Sequence, residues 1–535
     1  MITGTTQQQA IWEAIEHGKG HVFVNAGAGT GKTFTIVEGA NRIDENLKAA
    51  FLAFNKSIAT ELAKKLPDGV EAKTFHAFGF AALRAAGIRT KVNNFKLNNI
   101  IKELLGKDYH VAPLKKLVSL VKGSLINGTD TKSIMGLIDE YNINFNSDRE
   151  ERIALESIPA ILTMCRTQTH IIDFDDMIWI PLVNNYPLPT YDILFVDEVQ
   201  DFNEAQRELI SRCVNGGRCV IVGDKNQAIY GFRGADSNSI KMFEQRLSKG
   251  DREIAHFPLT ISWRCPKAVV TEANRYVLDF NAHQNAPMGT VNENAAFNPQ
   301  TDDMVLCRYN APLVSAFYDL VMQGKSAYIL GRDMTKGLIN AVNKITRNKQ
   351  MGTEEFWGLF QTDFDFNYAK LIEDGKENQA FSLEDKKDCI SIFVKKATTV
   401  GGIIEEIKRV FDGNDNGEIM LSTVHKAKGL EADNVYILAT ERMPHPKGNN
   451  EENNICYVAI TRAKRNLFYC GPKPGKIGGI WMNERFEKVN NLLNIFCKDQ
   501  LAEETLSDKW VNNLKLVKAY SGELLELVGD INDWL

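Results

Sequence analysis

Six apolar, β-branched-rich runs punctuate the chain, at residues 22–24, 50–54, 193–196, 220–222, 435–438 and 467–470, and each abuts a polar or glycine-rich turn. Helical patterns fill the intervals between them. Buried strands alternating with helices predict parallel sheets covered on both faces, an α/β fold. Two stretches break this rhythm, from about 85 to 170 and from about 340 to 415. Both read as amphipathic helices and polar loops, so they are expected to be insertions into two α/β cores. The segment after Trp481 reads as helical and carries no motif. No solenoid-type repeat and no low-complexity tract interrupts the pattern.

Length and composition narrow the class. At 535 residues the chain exceeds what one hydrophobic core supports, and it is expected to divide into several domains. A content of 44% hydrophobic and 24% charged residues is that of a soluble globular protein. The N-terminus lacks the basic-then-apolar layout of a signal peptide, and no run approaches the roughly 18 apolar residues of a membrane span. A cytoplasmic protein of a bacterial or phage-infected cell, without membrane association, is the expectation. Nine cysteines are scattered without a Cys-x-x-Cys pair, which predicts reduced, buried thiols. The formal charge of −5 means that any nucleic acid must be held by a local basic groove rather than by a globally basic surface.

The first chemical signal is Ala26-Gly27-Ala28-Gly29-Thr30-Gly31-Lys32-Thr33, directly after an apolar run. A strand feeding a glycine-rich turn that opens a helix points backbone N–H groups and a lysine ammonium at a polyphosphate, and the threonine hydroxyl can ligate Mg²⁺. Ala26 stands where the usual phosphate-binding loop has glycine. The second signal is the apolar run 193–196 ending in Asp197-Glu198. At a strand's carboxyl end beside a phosphate loop, the first carboxylate can hold Mg²⁺ and the second can orient or deprotonate a water. ATP and Mg²⁺ are the expected cofactors.

Further segments follow in a fixed order: Ala53-Phe54-Asn55-Lys56, Thr74-Phe75-His76-Ala77-Phe78, Asp173-Phe174-Asp175-Asp176, the run from Val222 through Gln227, Tyr230, Phe232 and Arg233 to Ala235, Ser262-Trp263-Arg264, Thr423-Val424-His425-Lys426-Ala427-Lys428-Gly429-Leu430-Glu431, and Tyr457-Val458-Ala459-Ile460-Thr461-Arg462-Ala463. With the phosphate loop and carboxylates, this series resembles superfamily 1 DNA helicases of the UvrD/Rep type. Its wording is most similar to the F-box DNA helicase branch and phage relatives, and the resemblance extends to about residue 470.

The resemblance implies roles residue by residue. Lys32 and Thr33 would hold phosphates and Mg²⁺, Asp197 the metal and Glu198 the catalytic water, while Gln227 would sense the γ-phosphate. Arg264 and Arg462 would be arginine fingers from the second core. A glutamine near the N-terminus reads adenine in the family. Here Ala10-Ile11 supports Gln7, the Thr5-x-x-Gln8 capping pattern supports Gln8, and the choice stays open. Trp263 would flank the base. Phe34 stands where relatives carry arginine, and it either stacks on the base or faces the core. Glu431 is similar to a ribose-contacting residue, with Gly429 beside it. Asn55, Phe75, His76, Tyr230, Phe232, Arg233 and His425 would touch nucleic acid, through the aromatic stacking and backbone contacts that suit single strands.

The fold implied is two RecA-like parallel-sheet P-loop NTPase cores with two mainly helical inserted accessory domains. Expected boundaries are 1–85 plus 171–260 for the first core, 86–170 for its insert, 261–340 plus 416–490 for the second core, 341–415 for a reduced insert, and 491–535 for a helical tail. The implied function is an ATP-dependent, DNA-stimulated helicase or single-strand translocase acting in DNA repair or replication, moving 3′ to 5′ by analogy alone. Single-stranded and tailed duplex DNA, with replication or recombination proteins, are the expected partners. The alternatives are a motor subunit of an ATP-dependent nuclease complex, a translocase that remodels DNA–protein complexes with weak unwinding, and a preference for RNA.

Overall fold

The computed structural model describes residues 4–53, 56–107, 109–141, 143, 145, 147–214, 216–229, 239–248, 252–373, 377–411, 418–445 and 451–476. Met1–Gly475 is one compact unit, and it holds every element discussed below. The expected tail at 491–535 lies outside the described residues.

Two six-stranded sheets, parallel at every pairing, organise this unit. Across the first sheet the strands are Val70–Thr74, Ala49–Ala53, Ile193–Val196, Arg218–Gly223, His21–Ala26 and Ile254–Leu259. Across the second they are Thr290–Asn292, Ala463–Tyr469, Ala432–Leu438, Met304–Cys307, Ile419–Thr423 and Ala327–Leu330. Central strands such as Ala49–Ala53 and Ile193–Val196 are buried at every residue, as continuous apolar runs require when both faces are covered. The outer strands Val70–Thr74 and Ile254–Leu259 are largely half-exposed or exposed, and Glu71 and Lys73 in one and His256 and Pro258 in the other break the apolar runs that would reveal them. Met304–Cys307 was also not among the predicted strands, although it is wholly buried. Four apolar residues are too few for periodicity to separate strand from helix.

Helices cover both faces of the first sheet. Ile11, Ile15 and Ile36 pack on one side, and Phe75, Phe78, Leu209 and Ile210 on the other. The helices Lys96–Leu105, Val111–Gly123, Thr131–Glu140 and Asp148–Thr167 build an apolar cluster that also takes in Leu83, Met177, Trp179 and Ile180 of the first core. The helices Thr353–Glu373, Glu377–Val394 and Val400–Phe411 pack directly on the second sheet. Their Phe356, Phe360, Phe393 and Ile403 share one cluster with Val305, Leu421 and Tyr436 of the second sheet.

Eight cysteines fall within the described residues, all of them free thiols; seven are buried and Cys470 is half-buried. Cys497 lies outside them. No helix among the described residues is long and apolar enough to cross a membrane.

The helices at 96–123 are fastened to the first core by buried charge. Asp173 caps the helix Phe174–Val183 by accepting from the Asp176 N–H, and the Asp176 carboxylate accepts from the Asp173 N–H in return. Asp176 also takes Lys96 Nζ at 2.6 Å and Lys122 Nζ at 2.8 Å, with all three side chains almost wholly buried. Burial opposes the Lys122 charge, yet Asp176 and Asp173 outweigh it and hold its pKa above the usual lysine value.

Removing one partner from such a group strands uncompensated charge, a loss of about 3–5 kcal/mol. Asp176→Asn is therefore expected to lower the denaturant midpoint clearly. Glu61→Gln, which breaks the solvent-exposed pair with Lys65, should leave the midpoint nearly where it is in the wild type.

Candidate nucleotide site

Strand His21–Ala26 ends in the fully buried Ala26, whose methyl packs in the core below the loop. The chain then turns through Gly29 and Gly31, both at positive φ (66° and 83°), into the helix Lys32–Ala40. Gly31 gives the helix no side-chain cap, so the first-turn N–H groups, which lack intrahelical partners, open onto the turn. A Cβ on Gly29 would overlap Arg264 Cβ, so at that point the loop admits only glycine. Thr30 Oγ1 donates to the Gly27 carbonyl at 2.9 Å and braces the turn from within. The Thr33 hydroxyl-bearing residue is exposed.

Lys32 points into a nest of acids carried by neighbouring strands. Strand Ile193–Val196 leads into Asp197 and Glu198, and strand Arg218–Gly223 into Asp224, at the carboxyl ends where such sheets bind ligands. Lys32 Nζ lies 3.5 Å from Glu198 and is buried without a hydrogen bond. Burial alone would depress its pKa, but Glu198, Asp224 and Asp197 reverse that and raise it. The cleft acts unequally on the acids. Burial and the Glu198 charge raise the Asp197 pKa. Burial also opposes the Glu198 charge, but Lys32 and Lys428 overcome it and hold Glu198 well below the carboxylate range. Glu198 adopts a left-handed backbone, φ 58°, and also accepts from Gln200 Nε2. Gln227 is buried, with Nε2 donating to Asp224 at 2.7 Å.

The second sheet closes over this nest. Arg462 immediately precedes strand Ala463–Tyr469 and is fully buried; its guanidinium donates to the Val458 and Leu430 carbonyls. Burial, with Arg264 nearby, lowers its pKa to about 10, so it stays a cation at neutral pH. Arg264 pairs with Glu431. Around it, Trp263 N–H donates to the Gly29 carbonyl at 2.8 Å and Ser262 Oγ to the Ala28 carbonyl at 2.9 Å. Lys428 reaches the first core, donating to Asp201 at 2.6 Å and to the Gln227 carbonyl at 2.6 Å. Gly429, beside it, is exposed at φ 89°, with open space where a Cβ would stand. Sequence reasoning quoted Lys428, Asp224 and Tyr457 within motifs without giving them a role; only the three-dimensional closure reveals their partners.

The two candidate adenine glutamines differ. Gln8 is buried, forms the capping box with Thr5 and donates to Thr35 Oγ1 at 3.1 Å. Gln7 is half-buried and its amide grips Thr260 twice, accepting from the N–H and donating to Oγ1. Phe34 is 42% exposed with its edge to Trp12, so the core alternative is wrong for it. Trp263 is also exposed and stacks on His283 at 3.8 Å, a neighbour that no motif announces.

One nucleic-acid expectation needs correction. Phe75 is 1% exposed, set edge-on to Phe202 at 4.8 Å within the core of the first sheet, and its ring cannot reach a base without unpacking that core. The next residue, His76, is half-buried, and burial lowers its pKa so that the imidazole is neutral at pH 7. Its ring meets Phe174, an aromatic left half-exposed at the start of a helix. Phe174 is a further surface aromatic, singled out only by its exposure and its contact with His76. His425 is half-buried near the Glu452 carboxylate. Asn55, Tyr230, Phe232 and Arg233 lie outside the described residues.

Comparison with known proteins adds the following. The profile of the UvrD/REP helicase N-terminal domain matches residues 7–248, and that of the UvrD-like helicase C-terminal domain matches residues 137–470. The F-box DNA helicase protein 1 of Schizosaccharomyces pombe is 26% identical over 520 residues, covering 87% of this chain and 57% of that protein. F-box DNA helicase 1 of Gallus gallus is 24% identical, with 86% and 48% covered. The chain thus spans about half the length of these two curated relatives. A probable DNA helicase II homolog of Mycoplasma pneumoniae is 29% identical, with 85% of this chain and 82% of that protein covered. A solved arterivirus nonstructural protein 10 helicase overlaps 86% of this chain and 61% of its own at 12% identity with a TM-score of 0.33, a likeness too slight to bear on the fold.

The burial of Phe75 has a direct test. Phe75→Leu, which nearly conserves volume, should cost under about 1.5 kcal/mol and leave affinity for single-stranded oligonucleotide unchanged. Phe75→Ala should cost about 3–5 kcal/mol in denaturation.

Proposed function

The chain belongs to the UvrD/Rep helicase family, and from that premise we propose that it is an ATP-dependent DNA helicase or single-strand translocase whose hydrolysis depends on closure of two RecA-like cores. The observation that carries this reading is the convergence in one cleft of Lys32, Asp197 and Glu198 from the first sheet with Arg264, which follows strand Ile261–Ser262, and Arg462, which leads into the second sheet. We take the helices at 86–170 and 341–415 as inserts into those cores.

The donor set suits Mg²⁺ held jointly with phosphates. It offers one carboxylate, Asp197, and one hydroxyl, Thr33, rather than an all-protein cage, and the buried Lys32 Nζ has no hydrogen bond of its own. When bound, the ion screens phosphate charge. The protein's own groups do the rest. Lys32 would bind the β- and γ-phosphates, and in doing so would give up its hold on Glu198. In the free cleft Lys32 and Lys428 hold the Glu198 pKa low. Phosphate competing for Lys32 would weaken that hold and raise the Glu198 pKa, in the direction a group that orients and deprotonates water requires. Arg264 and Arg462 would stabilise charge on the transferring phosphoryl group, the largest effect available to this chemistry. Arg264 must first exchange Glu431 for phosphate.

Nucleic acid would run past His76 and the exposed Phe174 and on to the segment after Ile229, where the chain carries Tyr230, Phe232 and Arg233. Movement from 3′ to 5′ is proposed from the family resemblance.

Lys32→Ala is expected to abolish DNA-stimulated ATP hydrolysis, and unchanged hydrolysis would refute the reading. Arg264→Ala and Arg462→Ala should each lower kcat by about 10³-fold or more. In a strand-separation assay, 3′-tailed duplexes should be unwound while 5′-tailed and blunt ones are not.

A further inference from the structure

The helix Glu451–Ile460 of the second core presents two polar side chains, Asn454 and Tyr457, spaced one turn apart and both directed at the first core. Asn454 Nδ2 donates to the Ala228 carbonyl at 3.0 Å and to the Lys225 carbonyl at 3.3 Å. Tyr457 is 1% exposed, with its ring held edge-on to Phe280. Its hydroxyl accepts from the Ala28 N–H of the phosphate loop at 2.9 Å and lies 3.3 Å from Asp224 Oδ2. The direction of this relay is fixed. A backbone N–H can only donate, so the hydroxyl proton is free for the carboxylate. Asp224 Oδ2 is also the acceptor for Gln227 Nε2.

One oxygen thus joins three parts: the phosphate loop, the short loop carrying Gln227, and the helix that leads into Arg462. We propose that Tyr457 is a positioning residue for ATP hydrolysis, tying the Asp224–Ala228 loop to the phosphate loop through the second core, with Asn454 as its auxiliary clamp. The inference rests on the reading of this cleft as an ATP site. The hydroxyl touches no atom that would react. It acts by fixing where Gln227 and the loop backbone stand when the cores are together, and a proper Gln227 position would be lost if either core moved alone. The segment that follows Ala228 in the chain leads to Tyr230, Phe232 and Arg233, so the same tie would transmit loop occupancy towards nucleic acid.

Tyr457→Phe keeps the ring and removes only the relay. Steady-state hydrolysis with saturating single-stranded DNA should show kcat about tenfold lower, with KM for ATP within about twofold of wild type, since one buried hydrogen bond is worth about that factor. Asn454→Ala, at a half-exposed position, should show the same split with a loss of about threefold, and it carries the test should Tyr457→Phe fail to fold. A purely structural role would instead lower the melting midpoint and leave kcat per folded molecule intact. Wild-type kcat in both variants, or KM rising in step with any loss, overturns the inference. Lys32→Ala run alongside separates the two levels: its inactivity with wild-type kinetics in Tyr457→Phe rejects the positioning role alone, whereas its retained activity rejects the ATP-site reading and this inference together.

Discussion

A lone buried ammonium surrounded by three carboxylates is the constraint on which the cleft depends. Lys32 is expensive to bury and would lose its proton in an apolar pocket, but Asp197, Glu198 and Asp224 keep it charged. They do so at their own expense, since burial forces Asp197 and Asp224 upward. The arrangement is electrostatically unfinished. Acids exceed bases on the first sheet, and the bases that redress the excess, Lys428 and Arg462, arrive from the second. The two sheets are therefore held together by charge as well as by apolar contact, and the apolar contact includes Ala28 and Ile229 lodged in the second sheet's cluster.

The same division of labour explains the two groups of extra helices. Those between residues 96 and 167 meet the first core through Leu83, Met177, Trp179 and Ile180, on helices that themselves cover the sheet, and the buried Asp176 with its two lysines adds charge to that apolar contact. Those between 353 and 411 have phenylalanines that belong to the second sheet's own core. A boundary drawn from composition treats the two alike, and their packing does not.

What could be read from the sequence follows the physics of each signal. Central strands such as Ile193–Val196 announce themselves because both faces are buried, whereas the edge strand Val70–Thr74 carries charged Glu71 and Lys73 and the edge strand Ile254–Leu259 carries His256 and Pro258, which edges tolerate. The loop from Ala26 to Thr33 is legible because its backbone conformation demands glycine at set positions. Phe75 was misread because a motif fixes which residue stands at a position and says nothing about which side of the helix faces the sheet. Its neighbour His76 does reach the surface. Tyr457 and Lys428 were visible as letters, but their partners lie more than two hundred residues away, and no local pattern encodes that distance.

At Gly29 the fit of the two lobes is a matter of clearance. Arg264 rests directly over it, and the Trp263 backbone is hydrogen-bonded to its carbonyl, so the lobes meet there with less than a methyl group of room. An alanine at that point would act as a shim: its methyl would collide with Arg264 Cβ and push the stem of that arginine away from the loop, while leaving every charged group in the cleft chemically intact. The absence of a single carbon is in this sense a machining tolerance, and it sets how tightly the jaws can shut.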